Sequence, residues 1–251
     1  MKQRIVITDL TQMPTGNRAC IVGISESGQC IRPVTEVREN GVTKDLLYSG
    51  PQLIVRPSAK VEFDFHRVDV VPPHIEDQGF APGSIVSHGL CSDNKWEHIL
   101  QRSSYTRVDD IYDGFLQDHS WVKPGANTKS IATLSQVTIV NVQLSEWEGK
   151  LRYRLSFRDS TGYMFGRPVS DLAFRELCYK EVKLDGHACL KVSSRLTNLL
   201  KSVDRVYLRL GLARPWLQPR ASEKRCYLQV TGIYTFPDYL QGKSITNFLP
   251  Q

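Results

Sequence analysis

The chain has 251 residues, 41% of them hydrophobic, and a formal net charge of +6. That length allows one large β domain or two of ordinary size, and that apolar content supports real cores. No apolar run approaches the roughly 18 residues of a membrane-spanning helix, and the N-terminus reaches Asp9 without an apolar signal core, so the expected setting is cytoplasmic, with no membrane partner.

Short strands dominate the first half. Residues 4–8 open it around Ile5-Val6-Ile7. Residues 19–25 and 29–34 read as a hairpin across Glu26-Ser27-Gly28, where glycine supplies the positive φ of a tight turn. A loop follows from 35 to 50. Residues 60–66 alternate cleanly, with Val61, Phe63 and Phe65 on one face. Pro72-Pro73-His74-Ile75-Glu76-Asp77 breaks the pattern. A short helix is expected over 94–101, capped by Ser92 or Asp93.

Turn residues cluster over 118–129, with Pro124, Gly125, Asn127 and Thr128. The charge changes sign there. Residues 1–127 hold 13 Lys and Arg against 16 Asp and Glu, a balance of −3, and residues 128–251 hold 19 against 10, a balance of +9. A split of that kind suggests that one half faces a polyanion. The expected division is therefore 1–125 and 126–251.

The second half restarts the strand pattern at 135–144. Residues 150–158 place Leu151, Tyr153, Leu155 and Phe157 on one face and Arg152, Arg154 and Arg158 on the other. A turn at 159–162 leads into 163–165. Ser170 or Asp171 is expected to cap a helix reaching Cys178, and 193–201 forms another. Residues 205–213 and 226–236 close the chain as a hairpin, and a polar tail follows Tyr239. Each half thus has four or five short strands and a helix or two. This suits a mainly β fold of two tandem OB-like (small Greek-key) barrels with a few short helices. Periodicity alone also permits other small barrels or a single sandwich.

Two stretches stand out as a binding surface. Phosphates favour arginine forks, and bases favour aromatic platforms. Arg152, Arg154 and Arg158 stand in a row on their strand. Tyr207 and Arg209 fall opposite the apolar residues of the closing hairpin and are expected on the same outer surface. The hairpin loop adds Arg214, Trp216, Arg220, Lys224 and Arg225, and Tyr227 follows it. Single-stranded nucleic acid is the partner these residue types suit.

A third stretch carries the main alternative. His74, Glu76 and Asp77, with Asp9, have the chemistry of an enzyme or nucleotide sensor. The competing interpretation is a rigid turn whose carboxylates cap a neighbouring segment. His66 and His88 do not give metal-ligand spacing, and no nucleophile elbow or glycine-rich phosphate loop appears. No catalytic residue, metal or cofactor is assigned. The six cysteines show no C-x-x-C pair and read as reduced thiols.

Thr8-Asp9-Leu10, Cys30-Ile31-Arg32-Pro33-Val34, the Pro72–Asp77 stretch, residues 209–216 and residues 232–240 together resemble the bacterial dual OB-containing domain family. The resemblance runs over most of the chain. It implies two OB folds in tandem and a nucleic-acid-binding role, and it brings no catalytic residues with it. A first half that acts as a brace, a second site or a module for a protein partner completes this expectation. An interaction adaptor in a bacterial defence or DNA-processing system is a further alternative.

Overall fold

The computed structural model describes residues 1–14, 16–35, 41–219 and 221–247. Its first lobe is built from β1 (Lys2–Gln12), β2 (Arg18–Ser25), β3 (Cys30–Val34), the short β4 (Val42–Thr43), β5 (Tyr48–Ser49) and β6 (Gln52–Leu53), then β7 (Ala59–His66), β8 (Asp77–Phe80) and β9 (Val86–Leu90). Alternation does the work of placing side chains. Ala59, Val61, Phe63 and Phe65 of β7 are buried, and the residues between them are not. β1 pairs with β2 on one side and β7 on the other, so that Ile5 faces both Ser25 and Val61. The ring β1–β2–β3–β8–β7 therefore closes into a five-strand barrel, with the β3–β8 pair parallel. Ile7, Ile21, Val61 and Phe63 sit in its core.

The second lobe contains α1 (Asp93–Arg102), β10 (Ser104–Tyr105), α2 (Val108–Ile111), β11 (Trp121–Val122), β12 (Ile131–Leu134), β13 (Thr138–Trp147), β14 (Lys150–Arg158), β15 (Met164–Pro168), α3 (Leu172–Leu184), α4 (Cys189–Lys201), β16 (Arg205–Leu212) and β17 (Cys226–Phe236). One sheet runs β10–β12–β16–β17–β11, and a second runs β13–β14–β15. A parallel bridge from Val169 to Val230 links them into a half-barrel around Leu155, Phe157, Phe174, Leu208 and Val230. Asp171 caps α3 by accepting from the Phe174 amide at 3.2 Å.

Two expectations need correction. Residues 104–122 fall in the first half of a 1–125 division, yet β10 pairs with β12 and β11 pairs with β17. Hydrogen bonding thus passes to the second sheet before the turn-rich stretch. The outer face of the closing hairpin is also not a solvent face. Tyr207 is buried with Trp96, Leu100 and Phe236, beneath α1. Arg209 is 1% exposed. The alternation itself is real, but the face it creates is covered by β1 and α1.

The contact that covers it is ionic. Arg209 Nε donates to Asp9 Oδ2 at 2.8 Å, and both residues are fully buried. Arg209 Nη1 also donates to Thr133 Oγ1 at 3.0 Å, the residue opposite it on β12. Asp9 accepts further hydrogen bonds from Thr8 Oγ1 at 2.7 Å and Thr231 Oγ1 at 2.5 Å. Register shifts lie at Ile7/Asp9 in β1 and at Arg209/Leu210 on β16, where Thr231 of β17 is left without an opposite residue. β-bulges of this kind re-aim side chains, and here two of them turn toward one another.

A buried pair so saturated is costly to break on one side only. Arg209→Met leaves the Asp9 carboxylate uncompensated and should cost about 3–5 kcal/mol in urea unfolding. Asp9→Leu combined with Arg209→Met should cost clearly less than the two single changes added together. Additive losses would show that the two side chains do not interact.

Candidate functional site

A second buried network joins the lobes next to the first. Arg32 and Asp77 are opposite one another in the parallel β3–β8 pair, and Arg32 Nε lies 3.1 Å from Asp77 Oδ1. Arg32 Nη2 donates to Ser130 Oγ, which donates in turn to Glu76 Oε2 at 2.7 Å. Glu76 Oε1 accepts from the Ser130 amide at 2.7 Å. Arg214 Nη1 reaches across to Asp77 Oδ2 at 2.8 Å. The turn at His74, Glu76 and Asp77 is buried, and its carboxylates hold Arg32 of their own lobe and the Ser130 amide and Arg214 of the other. Both carboxylates are taken up in contacts between the lobes and are closed to solvent. Among the described residues no group of His, Cys, Asp and Glu is placed to hold a metal ion.

His74 records the electrostatics of this network. Its Nδ1 faces Arg32 Nη2 at 3.2 Å and must therefore accept, which puts the ring proton on Nε2. Burial, then the charges of Arg32 and Arg214, push its pKa down to about 2. The folded protein keeps the ring neutral where the unfolded chain protonates it.

Beside this network a groove of about 1230 Å³ opens between the lobes. The ends of β1 and β2, with Arg32 and Lys44, form one wall. Tyr153, Arg154, Arg167 and Arg175 from β14, β15 and α3 form another, and Arg214, Trp216 and Tyr227 of the closing hairpin complete it. Six lining residues are basic and only Glu176 is acidic, so the groove presents a strongly positive surface. Arg32 and Arg214 are matched by carboxylates. Among the described residues, Arg154, Arg167 and Arg175 have no carboxylate within ion-pair distance. Arg154 Nη2 and Arg167 Nη1 instead share the Gly166 carbonyl, at 2.8 and 2.9 Å. Arg175 lies 4.5 Å above the Tyr153 ring. Burial lowers the pKa of Arg175, and burial together with the Arg154 charge lowers that of Arg167. Trp216 is 54% exposed and meets the Tyr227 ring edge-on at 6.0 Å.

The structure thus brings Arg154, Arg214, Trp216 and Tyr227 to one groove. Arg152 and Arg158 are exposed on the same strand but do not line it, and Arg152 lies 5.3 Å over the Trp147 ring. Arg225 covers the Trp121 ring at 4.1 Å, and Lys224 is exposed beside it. Tyr207 and Arg209 belong to the interior. Arg220 lies outside the described residues. Sequence reasoning missed Lys44, Arg167, Arg175 and the groove-facing side of Tyr153. Arg167 and Arg175 sit in no alternating or basic run, so only the fold reveals them.

A closed five-strand barrel locked to a half-barrel defines a protein of the paired OB type, and domains of that class generally bind nucleic acids. The profile of the dual OB-containing domain family matches residues 3–233, and the chain belongs to that family. No curated protein matches it. No helix among the described residues is long and apolar enough to cross a membrane.

The His74 shift has a signed consequence. A depressed histidine pKa means that its contribution to stability is complete above about pH 6.5 and is lost as the pH falls below it. Below pH 6.5 the wild type should lose stability faster than His74→Gln, the difference in slope approaching about 1.4 kcal/mol per pH unit near pH 5, read from urea midpoints. Parallel curves for the two proteins would contradict a neutral buried ring.

Proposed function

We propose that this is a cytoplasmic, non-enzymatic protein that binds single-stranded nucleic acid in the groove between its two lobes. The observation that supports this most is the set of groove arginines with no carboxylate partner among the described residues, placed with the exposed Trp216 and the half-buried Tyr227. Arg167 and Arg175 are partly desolvated and Arg154 stands exposed beside Arg167, and an anionic ligand is what lowers the energy of this uncompensated cluster. Phosphates spaced along a strand meet this need at several points at once. Trp216 and Tyr227 give bases a surface on which to stack, and stacking tolerates any sequence.

The first lobe contributes a wall to this groove. Lys44, with Nζ 3.0 Å from Gln12 Oε1, stands across from the arginines of β14 and β15. A ligand held there touches both lobes.

Reversing one charge on each wall separates phosphate binding from stacking. Arg154→Glu and Lys44→Glu should each weaken binding to all single strands alike, and each should reduce the log–log salt slope by about 0.7 for every phosphate that is no longer neutralised. Trp216→Ala should cost roughly 1–3 kcal/mol with the salt slope unchanged. The checks are fluorescence anisotropy on single- and double-stranded DNA and RNA at two salt concentrations, with circular dichroism on each variant. Folded charge-reversal variants that bind as well as wild type would overturn the groove as the site.

A further inference from the structure

At one point on the groove wall two guanidinium groups converge on a single oxygen. Arg154 Nη2 and Arg167 Nη1 both donate to the Gly166 carbonyl. One oxygen accepts from two cations that repel each other, and among the described residues no carboxylate pairs with either. Arg167 is held from three sides. Its Nη2 donates to the His119 carbonyl, and its guanidinium lies 5.8 Å over the Phe165 ring. Its Nε is buried and has no hydrogen-bond partner. Arg154, by contrast, is exposed and has room to adjust. A Cβ at Gly166 would stand in van der Waals contact with this point, 3.8 Å from Arg154 Nη2 and 3.6 Å from Ser156 Oγ.

From this geometry we infer that Arg154 and Arg167 form a seat for the terminal phosphomonoester of a nucleic-acid strand. The inference rests on the groove reading above and names which part of the strand occupies this point. Charge matching carries it. An internal phosphodiester brings one negative charge, whereas a terminal phosphate carries about −1.5 to −2 at neutral pH and three acceptor oxygens. Two converging arginine forks match the second and are left half-compensated by the first. A fixed Arg167 sets the position of the phosphate, and an adjustable Arg154 closes over it. The rest of the strand continues along the groove toward Trp216.

The test compares one short single strand in four forms, with a 5′-phosphate, a 3′-phosphate, both ends hydroxylated, and its terminal nucleoside monophosphate alone. Wild type should bind one of the phosphorylated strands at least about tenfold more tightly than the hydroxylated strand, the gain expected of a charge-assisted hydrogen-bond pair. That ratio should collapse toward one in Arg154→Gln, whose exposed site leaves folding intact, and in Arg167→Lys, which keeps the charge and loses the fork. Trp216→Ala should weaken all strand forms and leave the ratio in place. Equal affinity of wild type for phosphorylated and hydroxylated strands overturns the seat while the groove reading stands. A ratio that persists in both arginine variants also overturns it, as does a mononucleotide that binds as tightly as the phosphorylated strand. If no strand binds in any form, both the seat and the groove reading fail.

Discussion

The structure depends on placing charges between two β lobes where no water can reach them. Asp9 and Arg209 meet in that interface, each fully buried, with Thr8, Thr133 and Thr231 taking up remaining hydrogen bonds. A few ångströms of slip would strand a carboxylate and a guanidinium in a low-dielectric interior. Apolar packing tolerates small slides, whereas this network does not. Arg32, Glu76, Asp77 and Ser130 repeat the device nearby. The two networks together fix how the lobes face each other. The groove exists because that relation is fixed.

Arginine plays two roles here, and what each one faces tells them apart. Arg32 and Arg209 are buried with carboxylates and belong to the frame. Arg154, Arg167 and Arg175 face the groove and lean on carbonyls or a ring. Arg214 stands at the junction. It pairs with Asp77 at 2.8 Å and still lines the groove. The frame and the groove wall are therefore mechanically continuous at the base of the closing loop, which sets where Trp216 stands.

Much of the local structure was legible in the sequence, because period-two patterns respond to burial on one face. Val61, Phe63 and Phe65 point inward as their spacing requires, and so do Tyr153, Leu155 and Phe157. Asp171 caps its helix for the same local reason that made it a candidate. The closing hairpin shows where such reasoning ends. Arg205, Tyr207 and Arg209 alternate like a solvent face, but Arg205 and Tyr207 both reach Glu97 of α1, and Arg209 reaches Asp9, two hundred residues away in the chain. Polarity marks residues that need partners and does not say whether the partner is water. The motifs quoted for the family resemblance include Asp9, Arg32, Glu76, Asp77 and Arg209, and these are the residues of the interface. Arg167 and Arg175 carry no such mark, since their meaning comes from Gly166 and Tyr153, which only folding brings beside them.

The central claim is that one ligand lies between the lobes and touches both. Hydrogen exchange with and without a saturating single strand tests it most directly. The account predicts that protection appears together on 11–14, 16, 20 and 32–34 of the first lobe and on 153–154, 167–170, 211–216, 218 and 227–229 of the second, the positions that line the groove. Protection confined to one lobe, or centred on the exposed strand positions of Arg152 and Arg158 outside the groove, would contradict it.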